Sequence, residues 1–199
     1  MRDEGVTKYH CELEDGDPPV LAAIADLMAC RDRLFAQALI GVYPDGIGYG
    51  NISTRIGSSN RFFITGTQTG HKPALTVADF CEVVDYDIQA NRVRCRGKIA
   101  ASSESMTHAA VYELNPAIGA VIHVHSRDLW QKSMQRLPTT AASVAYGTPA
   151  MAAEMRRLYE TSELPRLRVL IMAGHEEGLI TFGATLADAE QVLRRAMSV

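Results

Sequence analysis

The segment AVIHVHS, residues 120 to 126, sets two imidazoles one residue apart inside an apolar run. Successive residues of a strand point to opposite faces, so positions i and i+2 share one. Val121, His123 and His125 therefore face one way, and Ile122, Val124 and Ser126 the other. Burying two imidazoles on one face without partners is costly, and a shared ligand is a physical reason for the pair. A third histidine, His175, follows the apolar run LRVLIMAG, where a loop residue can lean over a sheet edge. Glu104 opens a helix directly after two serines. Three imidazoles and one carboxylate make the donor set of a divalent cation such as zinc, which keeps one position open or exchanges the carboxylate for substrate. The remaining histidines read differently. His10 stands in a charged segment and is expected in solvent, and His108 shares a helix face with Glu104 four residues earlier, a position for packing or for supporting the ligands rather than for ligation. His71 lies in a glycine-rich loop, either as a substrate contact or as a plain loop residue.

These residues need a scaffold, and the chain spells one out. Residues 1–17 form a polar lead-in, and residues 18–199 read as a single domain. After Pro18 and Pro19, VLAAIADLMACRDRLFAQALI repeats apolar residues at helical spacing until Gly41. RFFIT, CEVVDYDI, NRVRCRG, AIGAVIHVHS, LRVLIMAG and GLITFG read as strands. GTQTGHKP is a loop by composition, and LTVADF a short helical turn with Thr76 and Asp79 at capping spacing. ASSESMTHAAVYEL is a helix ended by Asn115-Pro116. DLWQKSMQ, TPAMAAEMRRLYE and TLADAEQVLRRAMSV are the later helices. Helices that bracket a run of strands joined by short connections predict a three-layer α/β/α domain with a central, largely antiparallel sheet.

Composition narrows the function classes. With 47% hydrophobic and 22% charged residues over 199 positions, the chain has the make-up of a globular domain with a substantial core. A net charge of -3 and the lack of any basic run give no phosphate-tracking stripe, so nucleic acid is not an expected partner. No apolar run reaches the roughly 18 residues of a membrane span, and the charged N-terminal segment lacks the apolar core of a signal peptide. A cytoplasmic protein with a small-molecule substrate is expected. Cys11, Cys30, Cys81 and Cys95 show no CxxC spacing and read as buried, reduced thiols.

The order of GNIS, FFITGTQTG, VVDYD, ASSESMTHAAVYELNPAIGAVIHVHS and GHEEGLITFGATLADAEQVL resembles the class II aldolase/adducin family, from about residue 20 to the C-terminus. The resemblance implies a divalent metal, zinc in the usual case, held by His123, His125 and His175, with Glu104 as the acid/base residue beside it. It also implies a phosphate pocket at Asn51, Thr67, Thr69, Gly70, Ser102 and Ser103. Small hydroxyls and glycine N–H groups suit an anion pocket, although turn chemistry and helix capping account equally well for the same residue types. The implied activity is that of a metal-dependent lyase on a small hydroxy-carbonyl compound, such as a phosphorylated sugar. The route is a metal-stabilised enediolate ending in aldol-type C–C cleavage, with a dehydratase or decarboxylase on the same site as the alternative and an adducin-like scaffold as the non-catalytic one. Manganese, iron and cobalt fit the same donors. A homotetramer is implied by the resemblance alone.

Three departures separate the chain from the aldolases of that family. The third histidine stands in GHEEG, with Glu176 and Glu177 before the glycine, and carboxylates lining the site would repel a phosphate. GTQTGHK is about one residue longer than the matching aldolase loop. No tyrosine lies between His125 and Tyr146, where those aldolases carry a catalytic one, and their tyrosine-bearing tail is missing as well. A fuculose-phosphate aldolase proper is disfavoured on these grounds.

Overall fold

A computed structural model of the chain describes residues 6–134 and 136–198, so residues 1–5 of the lead-in lie outside the described residues. In chain order the elements are β1 (His10–Asp15), α1 (Leu21–Ala36), β2 (Gly41–Val42), β3 (Gly48–Tyr49), β4 (Asn51–Arg55) and β5 (Phe62–Thr65). A 3-10 turn (Val77–Asp79) leads into β6 (Phe80–Asp87) and β7 (Arg92–Gly97), followed by α2 (Ser105–Leu114) and β8 (Ala120–His125). Then come α3 (Arg127–Ser133), α4 (Pro149–Thr161), α5 (Leu164–Leu167), β9 (Val169–Ile171), β10 (Gly178–Gly183) and α6 (Leu186–Met197).

Eight strands form one sheet in the order β1-β7-β6-β5-β4-β8-β10-β9, and β2 pairs with β3 in a small separate hairpin. The sheet is mixed, which corrects the expectation of a largely antiparallel one. The β1–β7 ladder is parallel, and Thr139 adds a parallel bridge to Ile171 at the opposite edge. The parallel strand comes from HCELED, inside the stretch read as a polar lead-in. Its charges are matched across the ladder, with Arg94 Nη1 3.2 Å and Arg96 Nη2 3.3 Å from the Glu14 carboxylate. Cys11 turns inward to within 3.8 Å of Cys95 Sγ. Exposed cross-strand pairs contribute only about 0.2–1 kcal/mol each, so the edge depends on this alternation of salt bridge and core contact.

Helices cover both faces. Met106, Ala109 and Val111 of α2 and Met151, Met155 and Leu158 of α4 pack on Phe62, Ile64, Val83, Val121 and Ile180. Ile24, Leu27 and Leu34 of α1 and Leu186, Ala189 and Leu193 of α6 pack on Ile52, Phe80, Ile122, Val124 and Leu179. The strand β8 thus divides its side chains as alternation requires, Val121 toward α2 and Ile122 and Val124 toward α1 and α6. All six of its residues are buried, and each large apolar side chain so buried stabilises the fold by about 1.5–3 kcal/mol. Among the described residues, no helix is long and apolar enough to cross a membrane. The cysteines are free, three buried and Cys11 half-buried.

Helix ends follow local chemistry more closely than the apolar pattern does. The first helix stops at Ala36, although its periodicity runs on to Ile40. Ala38 takes a left-handed φ of 55°, and Ala38 N–H and Leu39 N–H donate back to Phe35 O and Leu34 O, which closes the helix. The reading of LTVADF survives as the 3-10 turn, whose Asp79 carboxylate accepts from Thr76 N–H at 2.8 Å. Thr185 and Asp188 form a capping box that starts α6.

One buried polar cluster ties the second helix to the sheet. Ser53 Oγ on β4 lies 2.7 Å from His108 Nδ1 and 2.8 Å from Tyr112 Oη, all with almost no exposure. His108 thus stands outside the three-imidazole cluster, held to β4 through Ser53. Ser53→Ala leaves two buried polar groups without that partner. Urea denaturation should show a loss of about 1–3 kcal/mol, and an unchanged midpoint would show that the cluster stabilises nothing.

Candidate metal centre

His123 and His125 stand on the α2 side of β8, paired across the ladder with Ile180 and Gly178 of β10. The β9–β10 connection folds His175 back over them. Met172 N–H donates to Gly178 O at 3.0 Å, and His175 O accepts from Gly178 N–H at 2.9 Å. Glycine is required at 178, because a Cβ there would stand 2.3 Å from the His175 ring. The three ligand nitrogens lie within 4.8 Å of one another, and all three residues are buried. His125 Nε2 is 3.2 Å from His123 Nε2 and 2.9 Å from His175 Nε2.

Tautomers decide what those short separations mean. His123 Nδ1 lies 3.1 Å from Leu179 O, which only accepts, so Nδ1 carries the proton and Nε2 a lone pair. His125 Nδ1 lies 2.8 Å from Tyr43 Oη, whose own proton goes to Glu177 Oε2 at 2.9 Å. His125 Nδ1 is therefore a donor too, and its Nε2 also presents a lone pair. Two lone pairs 3.2 Å apart repel in a buried site unless a cation lies between them. Nitrogens bound to a tetrahedral zinc at about 2.0–2.1 Å stand about 3.3–3.4 Å apart. The residues present fit a divalent cation. Burial also favours the uncharged rings: it pushes His123 down to about 4 and His175 well below the usual histidine value, the latter helped by His123 and Lys8 nearby.

Glu104 takes the N-cap position of α2 and is 1% exposed. Its Oε1 is 3.8 Å from His123 Nε2 and 3.6 Å from His175 Nε2, too far for hydrogen bonds and right for a group sharing a central ion. The turn before it is fixed by Ser102 O, which accepts from Ser105 N–H and from Tyr9 Oη at 2.6 Å. Ser102 and Ser103 thus precede the helix and do not cap it.

A cavity of about 480 Å³ is lined by Asn51, Thr67, Thr69, Gly70, Ser102 and Ser103 together with Gly46, Ile47, Gly48 and His71. It shares a wall with the imidazole cluster, because Asn51 pairs with His123 across β4–β8 and Ser103 is bonded to Glu104. Asn51 Oδ1 is buried without a hydrogen-bond partner, polar capacity left for a ligand. The loop is pre-set. Thr69 Oγ1 donates to Gly66 O, and the buried Arg31 of α1 donates to Thr69 O and Pro73 O at 3.1 and 3.2 Å. A Cβ at Gly70 would meet Gly41 O at 2.1 Å, so only glycine lets this loop lie against the β2–β3 hairpin. A larger groove of about 580 Å³ between β6, β7 and α4 lies elsewhere and is lined by charged side chains of both signs, with none of the imidazoles.

Sequence reasoning missed several neighbours. Tyr43 reaches His125 from a distant segment, and Tyr146 sets its ring 4.4 Å from His175, next to Lys8. Arg31 reads as one more polar residue of an amphipathic helix, and nothing local marks its inward turn. Glu177 does not point its charge at the cavity, since Arg127 pairs with it, and Glu176 stays exposed. The predicted phosphate repulsion therefore has no source in that pair.

The class of protein is thereby set as an α/β/α domain in which three buried imidazoles converge beside a carboxylate on an inner strand of a mixed sheet. A family model described as class II aldolase and adducin N-terminal domain matches residues 45–196, and the chain belongs to that family. A methylthioribulose-1-phosphate dehydratase of Leptospira biflexa is 26% identical, covering 72% of this chain and 80% of that one. One from Gluconobacter oxydans is 35% identical over 58% of this chain and 52% of its own. Among solved structures, an L-fuculose 1-phosphate aldolase superposes with a TM-score of 0.69 at 19% identity, covering 91% of this chain and 84% of that one. The aldolase from Thermus thermophilus gives 0.57 at 23% identity, covering 86% and 84%. These likenesses establish the fold.

His175→Ala removes one of three donors without touching the sheet. Elemental analysis after dialysis against zinc should find about one ion per wild-type chain and under about a tenth of that in the variant. Equal loading would place the metal elsewhere.

Proposed function

We propose that the chain is a metal-dependent lyase acting on a small, phosphorylated hydroxy-carbonyl compound, with loss of water as its first-choice outcome. The observation that carries this reading is the convergence of three imidazole nitrogens beside Glu104, next to a cavity lined by hydroxyls and glycine backbone. The preference for dehydration over aldol cleavage is supported by two relatives named as dehydratases, whereas the likeness to aldolases is one of fold.

In this reading His123, His125 and His175 hold the cation and the loop at Thr67, Thr69 and Gly70, with Asn51, Ser102 and Ser103, holds the phosphate. A divalent ion bound there supplies Lewis acidity, drawing charge from the substrate carbonyl. Zinc suits the donor set, and other first-row ions share it. Glu104, buried and fixed at the start of α2, takes the proton from the carbon next to that carbonyl. The hydroxyl on the following carbon then leaves as water, and the enol that remains becomes a second carbonyl. Aldol cleavage would set the same carboxylate to the hydroxyl proton and break the bond between those two carbons. A cytoplasmic homotetramer belongs to the same reading, and light scattering of the purified protein checks the assembly.

The test offers zinc-loaded protein a set of phosphorylated ketoses and follows each by proton NMR, which separates dehydration from cleavage and from loss of CO2. A new vicinal carbonyl without chain cleavage is expected. Glu104→Gln should lower kcat by about 10²–10⁴-fold while metal content is kept. Retained turnover in that variant would remove Glu104 from the chemistry, and aldehyde fragments with intact wild-type protein would replace dehydration by aldol cleavage.

A further inference from the structure

Tyr43 sits at the entrance to the β2–β3 hairpin, closed by Tyr43 N–H to Ile47 O at 2.8 Å and Gly46 N–H to Tyr43 O at 2.9 Å. The same hairpin supplies Gly46, Ile47 and Gly48 to the cavity wall. The hydroxyl of Tyr43 bridges two partners: it accepts from His125 Nδ1 at 2.8 Å and donates to Glu177 Oε2 at 2.9 Å. The other oxygen of Glu177 is held by Arg127 Nε at 2.8 Å, at the first residue of α3. A hydrogen-bonded line thus runs from an exposed guanidinium through carboxylate and phenol to the imidazole.

The backbone at Glu177 shows that this line has a cost. Its φ is +68°, the left-handed region that a non-glycine residue enters at an expense of roughly 1 kcal/mol or more. Glycine would fill that turn position without strain, yet a glutamate stands there, 9% exposed and held from two sides. A side chain kept in a strained turn for hydrogen bonds to Tyr43 and Arg127 has a positioning task.

We infer that Tyr43 is a positioning residue for metal binding, holding His125 in the tautomer that presents Nε2 to the cation and, through Glu177, tying the cavity-lining hairpin to that ligand. The inference rests on the metal site proposed above. It also has a consequence for binding order: an ion that fixes His125 fixes Tyr43, and with it the cavity wall, so metal uptake prepares the phosphate pocket.

Tyr43→Phe removes one oxygen and leaves the ring, which packs on Tyr49 with centroids 4.6 Å apart. Cobalt affinity measured by chelator competition should weaken by about 10–100-fold in this variant, and the visible spectrum of the cobalt-loaded protein should change. Amide exchange in residues 41–49 should slow on cobalt addition in wild type and much less in Tyr43→Phe. Glu177→Ala should weaken cobalt binding similarly. Glu177→Gln keeps an acceptor for Tyr43 and should stay within about threefold of wild type, since the hydrogen bond and not the charge orients the ring. The thermal midpoint of each metal-free variant establishes that it is folded. A folded Tyr43→Phe with wild-type affinity and spectrum would overturn the inference and leave the metal site standing. Wild-type protein that binds no cobalt would overturn both.

Discussion

Two imidazole lone pairs that face each other at 3.2 Å in a buried site are the constraint on which the rest of the structure depends. Such an arrangement is repulsive without a cation and strongly favourable with one, so the surroundings must hold both rings against their own repulsion. Rigid elements do this here. His123 and His125 sit on a fully buried strand, hydrogen-bonded on both sides by β4 and β10. The hairpin turn that carries His175 is closed by backbone bonds and fits only because residue 178 lacks a side chain.

The two helix layers have different tasks in this design. The α1/α6 side is mainly an apolar cover, with Arg31 and Glu190 as its buried charges, whereas the α2 side carries the polar groups around the imidazoles. Glu104, Ser102 and Ser103 cluster at the start of α2, and farther along it His108 Nδ1 and Tyr112 Oη meet Ser53. Burying that many polar groups is costly unless hydrogen bonds or a ligand meet them. The pattern explains why the helix is buried nearly throughout and carries little charge. Orientation of the ligands is shared out in the same way. His123 uses a backbone carbonyl, which cannot move without the sheet, and His125 uses a side-chain line that crosses three segments. The metal centre thus has one fixed ligand and one whose placement depends on the hairpin over the cavity.

Much of this was legible in the sequence, and for a local reason. The strand alternation at AVIHVHS places two imidazoles on one face whatever the topology, and the apolar run before His175 places a third near a strand end. The six residues expected around a phosphate all line one cavity. What escaped was non-local. Tyr43 meets residues 82 and 134 positions away, and no periodicity in GVYPDGIGYG announces such contacts. Glu177 looked like a charge in the site because GHEEG shows its carboxylate but not Arg127, which comes from another element. The edge strand β1 was hidden by charges that make sense only opposite Arg94 and Arg96, and its parallel pairing turned an antiparallel expectation into a mixed sheet. The early end of α1 follows from the left-handed Ala38, a conformation for which alanine gives no warning.

The most direct test of the central claim is X-ray diffraction from zinc-grown crystals, with data collected on both sides of the zinc absorption edge. The account predicts a single anomalous peak about 2.0–2.1 Å from the Nε2 atoms of His123, His125 and His175, on the Glu104 side of the cluster. Absence of density there, with the imidazoles bonded to one another or turned apart, would contradict it.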